Sequence, residues 1–437
     1  MADRFRSTEG LIDALADASF DRPPALVSNA HVTGLGVARA LDAHGVPVIA
    51  LDRAAGDGTE PVTHDGLAPP SEAVDFAGAV TYPLDDFDGF REDVEAIVDA
   101  AGTEAVAFGC MDEWALVYAE ADPDGVRLPY SGIDTIDDVL NKSRLYATCE
   151  ELGIPYPETY RLGGGSEEGS DGGTIDEDAL EEAVDALGFP LVVKPARKRE
   201  FEEAFGTNVL TVADREELEE VVAGAAAEGV EVMAQNRVDV ATGRDHSLAS
   251  YVPPSGVDDA LAVVGNAAVR YPLQFGTSCL VEVADEPTIE ERALAVLEDA
   301  GYHGISEAEF VYDDEREEFL LLDVNTRPWK WISLPVAAGA NLPMAAYASV
   351  TDAEYDAEGV DPNESARWVY LRDYLSLLAG DDPFWDQLSA DDWRRLVSGS
   401  FEQEGDLTTG IYRPSDPGPA AKLFETEFID REYYCSC

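Results

Sequence analysis

The sequence predicts a mixed α/β and α+β fold, a parallel α/β domain followed by a larger α+β domain, and three observations carry that prediction. From Pro24 an apolar strand (ALVSNA), a glycine turn (HVTGLG), an amphipathic helix (VARALDAHG) and a second strand (VPVIALDR) follow one another in the order of a βαβ unit. Further on, DEDALEEAVDALG, FPLVVKPA, FGTNVLTV, REELEEVVAGAAAEG and VEVMAQNRV alternate helix and strand in the manner of an antiparallel α+β unit. The length of 437 residues exceeds the size at which one hydrophobic core keeps growing, so several packed domains are expected.

The N-terminal domain is expected over 1–133. Its apolar run AVAFGCM precedes Asp112, Glu113 and a helical stretch, and its edge falls near Ser131 to Asp137. NKSRLYATCEELG is then helical with Gly153 as its C-cap, and IPYPETYRL is an extended entry to a domain expected over 134–350, with a lid around 190–240. Within it, GGGSEEGSDGG at 163–173 reads as a flexible surface insertion without chemistry. ALAVVGNAAVR reads as a strand. PTIEERALAVLEDAG reads as a helix with a Thr288/Glu291 capping box and Ile289, Ala293, Val296, Leu297 and Ala300 on one face. ISEAEFVYDD and EEFLLLDVNTR follow as a hairpin, and the Trp- and Tyr-rich remainder, 351–437, as a C-terminal extension.

Acidic residues number 89 against 29 Lys and Arg, a formal charge of -60 spread along the chain. Disorder is excluded, because 45% of residues are hydrophobic and recur with helix and strand periods. The charge is therefore surface charge. With lysine confined to Lys142, Lys194, Lys198, Lys330 and Lys422, it is the surface expected of a halophile's protein, kept soluble in a salt-rich cytoplasm. Such a field repels nucleic-acid backbones and anionic membranes, and no Lys/Arg cluster offsets it. Cys110, Cys149, Cys279, Cys435 and Cys437 show neither CxxC nor zinc-type Cys/His spacing and fit a reducing compartment; the terminal YYCSC reads as a tail. MADRFRSTEG has no apolar signal core, and no run of about 18 apolar residues occurs, so a cytoplasmic protein is expected.

The strongest chemical signal is AEF at 308–310 together with LLLDVNTRPW at 320–329. It sets Glu309, Asp323 and Asn325 on adjoining strands, with Asp323 and Asn325 pointing the same way, as hard oxygen donors suited to magnesium and a triphosphate. A carboxylate held in LLLDV costs on the order of several kcal/mol unless compensated, so Arg327 or a metal must face it.

With these residues the chain resembles the ATP-grasp superfamily, and within it the carboxylate-amine ligase branch of D-aspartate ligase type. The family's Glu-x-Asn-x-Arg element stands here as DVNTR, where Asp323 shortens one ligand arm by a methylene. The resemblance covers 134–350 and implies a Rossmann-like pre-ATP-grasp domain, then an ATP-grasp domain made of a lid subdomain and a C-terminal α+β subdomain. It implies ATP and Mg2+ as cofactors, with Mn2+ as the alternative ion, and Glu309, Asp323 and Asn325 as metal ligands. By the same resemblance Lys142 and Lys194 contact the phosphates, and Gly206, Thr207 and Asn208 of FGTNV fold over them. Gln235 and Asn236 of VMAQNRV would meet the adenine, and Asp245 of GRD the ribose. Arg270 of VRYPLQFGTS would clamp a phosphate or substrate carboxylate, and Arg327 would stabilise the acyl phosphate and the tetrahedral intermediate; with Lys194 these are the expected catalytic residues. The implied reaction activates a carboxylate as an acyl phosphate and joins it to an amine with release of ADP, on an amino acid or peptide.

Two rival readings stay open. One is a nucleotide-binding regulatory protein without turnover. The other is an NAD-dependent oxidoreductase built on HVTGLG, with Gly34, Gly36 and Asp52 at cofactor positions and Arg39 where a third glycine is wanted. None of His31, His44, His64, His246 and His303 carries a hydrolase signature, and His303 reads as structural. The expected partners are a small-molecule carboxylate and amine, with no nucleic acid, no membrane, and homo-oligomerisation left open.

Overall fold

The computed structural model describes residues 4–54, 63–163, 175–197, 201, 205–207, 209–273, 276–355, 362–378 and 387–427. The chain forms two compact units, one of Met1–Ile136, Thr242–Glu307 and Asn325–Cys437, the other of Asp137–Ala241 and Ala308–Val324.

The first unit opens with a sheet of Phe5–Arg6 (β1), Ala25–Ser28 (β2), Val48–Asp52 (β3), Phe76–Ala79 (β4), Ala105–Gly109 (β5) and Val126–Arg127 (β6). The order is β1-β4-β3-β2-β5-β6, with every pairing parallel. All residues of β2, β3 and β5 are buried, as continuous apolar strands are when helices cover both faces. Those helices are Thr8–Ala16, Val32–Asp42, Phe87–Ala101 and Asp112–Ala121. The expected βαβ start is present, with one correction. HVTGLG is not a turn, since Gly34 and Gly36 lie inside the helix Val32–Asp42. Asn29 takes the left-handed position after β2, at φ +63°.

The second unit holds a sheet of Thr159–Arg161 (β7), Leu191–Pro195 (β8), Leu210–Val212 (β9) and Val232–Gln235 (β10), antiparallel in the order β7-β10-β8-β9. One face is apolar: Leu191, Val193, Val232 and Ala234 pack in one cluster with Leu180 of the helix Glu177–Leu187 and Leu218 and Val222 of the helix Arg215–Ala227. The helix Lys142–Leu152 starts at Asn141, whose side chain accepts the Ser143 and Arg144 N–H groups, and ends at Gly153 in the left-handed region as expected. The Gly/Ser-rich insertion, apart from Gly163, lies outside the described residues.

Beyond it come Val240–Val252 (β11), Leu261–Tyr271 (β12), Thr277–Val283 (β13), Gly304–Asp313 (β14), Glu318–Asn325 (β15), Arg367–Val369 (β16) and Leu407–Thr409 (β17), ordered β15-β14-β11-β12-β13-β16-β17. The C-terminal segment thus supplies β16 and β17, which pair in parallel. The helix Pro287–Asp299 buries Ile289, Ala293, Val296 and Leu297 as expected, but Ala300 falls outside the helix as its half-buried C-cap, and the capping box is absent. Proline takes the first helical position, Glu286 becomes the N-cap, and Thr288 is already inside the helix. Among the described residues no helix is long and apolar enough to cross a membrane.

Candidate functional site

In the second unit the polar groups gather on the face of the four-stranded sheet away from its apolar cluster. Alternation along β8 puts Lys194 on that face, and the register pairs it with Met233 of β10. Gln235 lies on the same side, buried, and its Nε2 donates to Thr159 Oγ1 at 2.9 Å and to the Tyr146 hydroxyl at 3.3 Å. The helix Lys142–Leu152 is tied to this sheet by Ser143, whose hydroxyl donates to Glu231 Oε1 at 2.5 Å and lies 3.6 Å from Met233 Sδ. The Lys142 N–H donates to the Ala196 carbonyl at 3.0 Å, so the first residue of the helix meets the chain just past Lys194 and Pro195.

The Lys142 ammonium is buried in an ion pair with Asp323 at 2.5 Å. The compensating charge that LLLDV requires therefore comes from Lys142, not from Arg327. Asp323 Oδ1 also accepts the Val324 N–H at 3.1 Å. Beside it the Tyr146 hydroxyl donates to the Leu322 carbonyl at 3.0 Å, and burial raises that phenol far enough to keep it a donor.

Asn236 differs from its neighbour Gln235. Its N–H donates to the Glu158 carbonyl at 3.0 Å, but its buried Oδ1 meets no hydrogen-bond partner. Leaving a buried acceptor unmade costs about 1–3 kcal/mol, which a ligand N–H at this strand end would relieve. In the FGTNV segment Gly206 sits at φ +68°, and the Thr207 hydroxyl donates to the Val209 carbonyl at 3.0 Å. Asn208 lies outside the described residues. Glu309 is half-buried on β14.

In the first unit, Asn325 Nδ2 donates to Glu307 Oε2 at 3.3 Å, which leaves the Asn325 Oδ1 as its remaining acceptor. Glu307 is buried and was passed over in the sequence. It stands two residues before Glu309 on one strand, so the alternation that selects Asp323 and Asn325 selects it too. Arg270 and Asp245, expected to act separately on phosphate and ribose, are bonded to each other: Arg270 Nε reaches Asp245 Oδ2 at 3.1 Å, and Nη1 the Gly276 carbonyl at 3.1 Å. Arg327 makes a two-pronged contact with Asp112, at 2.6 and 3.3 Å. Since β15 ends at Asn325, strand alternation does not extend to Arg327.

Among the described residues no group of three or more His, Cys, Asp or Glu side chains stands ready to hold a metal ion. Magnesium does not need one: it is commonly bound by one or two carboxylates with phosphates and water completing the shell. Glu309 and Asp323 of the second unit are hard oxygen donors of that kind, and their chemistry fits the ion.

The glycine motif is used in packing. A Cβ on Gly34 would lie 2.5 Å from the Asn29 carbonyl oxygen, and one on Gly36 2.6 Å from Ile332 Cγ2. Arg39, at the third-glycine position, is buried and donates from Nη2 to Asp416 Oδ2 at 2.8 Å and to the Ile411 carbonyl at 2.9 Å. Asp52 is also buried, and accepts the Ala30 and Arg53 N–H groups at 3.2 and 2.9 Å. His303 sits beside Ser131, whose hydroxyl accepts the His303 N–H at 2.8 Å, donates to the His303 carbonyl at 3.1 Å and lies 2.9 Å from the His303 Nδ1.

No family model matches the chain. It is 25% identical over 233 residues to the C-terminal section of the carbamoyl phosphate synthase large chain of Methanopyrus kandleri, covering 51% of this chain and 38% of that protein. It is 27% identical over 212 residues to the D-alanine–D-alanine ligase of Xylella fastidiosa, covering 46% and 63%. The chain thus spans less than two thirds of the length of either relative. Among solved structures, a biotin carboxylase from Campylobacter jejuni, as its β-γ-ATP complex, superposes with a TM-score of 0.59 at 15% identity, covering 81% of this chain and 75% of that one. An L-amino acid ligase from Bacillus licheniformis superposes with a TM-score of 0.53 at 15% identity, covering 78% of each. The structural likeness shows an ATP-grasp fold, α/β and α+β as expected, and the relatives support the ATP-grasp superfamily.

Proposed function

We propose, with that fold as premise, that the chain is an ADP-forming carboxylate-amine ligase, of D-aspartate ligase type, acting on an amino acid or peptide. The observation that carries this reading is the meeting of Lys142, Asp323 and the Lys194 segment within one unit, a buried cation–carboxylate pair whose lysine N–H bonds the chain two residues past Lys194. The domain reading is a pre-ATP-grasp domain over 1–133, an ATP-grasp domain over 134–350 and an extension over 351–437. The acidic surface supports a cytoplasmic protein adapted to high salt.

In this reading the substrate carboxylate attacks the γ-phosphorus of ATP, giving an acyl phosphate and ADP, and the amine then displaces phosphate. Lys194 and Lys142 offset charge on the transferred phosphoryl group. Gly206, Thr207 and Asn208 lie over the phosphates; Gln235 and Asn236 border the adenine, with Asn236 Oδ1 open to its amino group; Asp245 serves the ribose. Glu309, Asp323 and Asn325 would hold magnesium, which supplies charge neutralisation on the phosphates. Arg327 and Arg270 act on the acyl phosphate and on a substrate anion, and positioning in a water-poor site does the rest.

The test is ADP release in high-salt buffer with ATP and magnesium across amino acids paired as acid and amine, beside Lys194→Ala and Asp323→Ala. Substrate-dependent release lost in both variants is expected. ATP binding without release would favour a regulator without turnover, and no ATP binding would overturn the assignment.

A further inference from the structure

We propose that the amine site lies at the carboxyl edge of the parallel sheet in the first unit, and that it takes a free α-amino acid, its carboxylate on Arg53 and its ammonium on Glu113. The proposal rests on the ligase reading.

The residues come from successive strand ends. Arg53 follows β3, and its guanidinium stands 5.1 Å from the centroid of the Tyr82 ring. Tyr82 follows β4 and donates its hydroxyl to Glu113 Oε1 at 3.2 Å. Asp112 and Glu113 open the helix after β5, and Asp112 holds Arg327. Open α/β sheets bind ligands in the crevice beyond these strand ends.

One aromatic ring thus carries a cation over its face and an anion at its hydroxyl. Arg53 is exposed, and Tyr82 and Glu113 are half-buried, so the row is open to a ligand. Burial first, and then Asp112, holds the Glu113 carboxyl above its ordinary range, the condition under which an arriving ammonium is most favourable to it. Glu113 and Asp85 both act on Tyr82 beside Arg53, surroundings that suit one negative charge better than a phosphate dianion. Arg327, bonded to Asp112, lines a small cavity with Phe108, Gly109, Tyr130 and Pro328, and it is the guanidinium assigned above to the acyl phosphate.

The test is calorimetric titration of the full chain with the protein amino acids, each beside its α-carboxamide and its N-acetyl derivative, with and without a non-hydrolysable ATP analogue and magnesium. At least one free amino acid should bind, and its amide and N-acetyl forms about tenfold or more weakly, the scale of one charged hydrogen bond. Arg53→Gln should erase the preference for acid over amide, and Glu113→Gln the preference for amine over N-acetyl, with melting temperatures near that of the parent. The same discrimination in Arg53→Gln as in the parent, or no amino acid bound in either condition, overturns the site. Discriminating binding without any ADP release would sink the ligase reading and leave the site standing; ADP release with unchanged discrimination in both variants would do the reverse.

Discussion

Each unit buries an ion pair, and the two pairs sit in different surroundings. In the first unit Asp416 accepts from Arg39 Nε at 3.0 Å, from Ser71 Oγ at 2.6 Å and from the Glu72 N–H at 3.0 Å, while Arg39 also caps the Ile411 carbonyl. In the second unit Lys142 and Asp323 meet at 2.5 Å next to the lysine-bearing strand β8, in the same unit as the unpartnered Asn236 acceptor. A network that closes on the protein fastens elements together. A buried acceptor left unmade, as at Asn236, calls for a further partner, a ligand or a water.

The largest expected effect tests that contrast directly. Asp323→Ala should lower magnesium-dependent ATP binding or ADP release by about a hundredfold or more, the scale on which single charged groups act at a transferring phosphoryl group. Calorimetry with ATP and magnesium, followed by an ADP assay, reads it. Unchanged ATP binding would erase the distinction between the two pairs.

Arg39→Ala should act on stability instead, by about 3–5 kcal/mol, because it strands Asp416 in a buried place. Denaturant titration in high salt measures the loss, and ATP affinity in the surviving fold should be that of the parent. Burial, and then Arg413, pulls the Arg39 pKa down to about 10, so the group remains charged at neutral pH. Asp416 adds a pH signature. Burial alone would raise its pKa, but the Ser71 hydroxyl, the Glu72 N–H and Arg39 hold it below the ordinary carboxyl range. A depressed folded pKa gives stability that is fully present above the unfolded value of about 4 and is lost as pH falls through the folded one. Acid titration of Asp416→Asn should therefore show a shallower loss of stability below about pH 4 than the parent.

Much of the fold was legible because its strands and helices keep their periods. Four of the five apolar positions expected on the helix Pro287–Asp299, all but Ala300, and the left-handed Gly153 were read correctly from local chemistry. β11 was missed, since its first five residues mix exposed, buried and half-buried positions and the rest is buried throughout, so no sustained alternation marks it. HVTGLG misled because glycine has two uses, and close approach rather than a turn is the one at work here. Gly36→Ala should cost about 1–3 kcal/mol by pressing on Ile332, with no change in nucleotide binding. Arg327 with Asp112 and Arg39 with Asp416 join residues 215 and 377 positions apart, pairings that no local pattern encodes.

The smallest effect separates the two kinds of buried polar group most sharply. Truncating a group in a closed network loses its bonds and strands its partners, so stability falls and ligand affinity stays. Asn236 Oδ1 has no bond to lose in the free protein. Asn236→Ala should therefore leave the unliganded melting temperature unchanged or raise it, while ATP affinity falls about fivefold, the worth of roughly 1 kcal/mol of hydrogen bonding to the adenine amino group. GTP, which presents a carbonyl oxygen where adenine has that amino group, should bind the parent and the variant alike. Loss of stability with unchanged ATP affinity would move Asn236 to the structural side of the comparison and return the adenine contact to the backbone of β10.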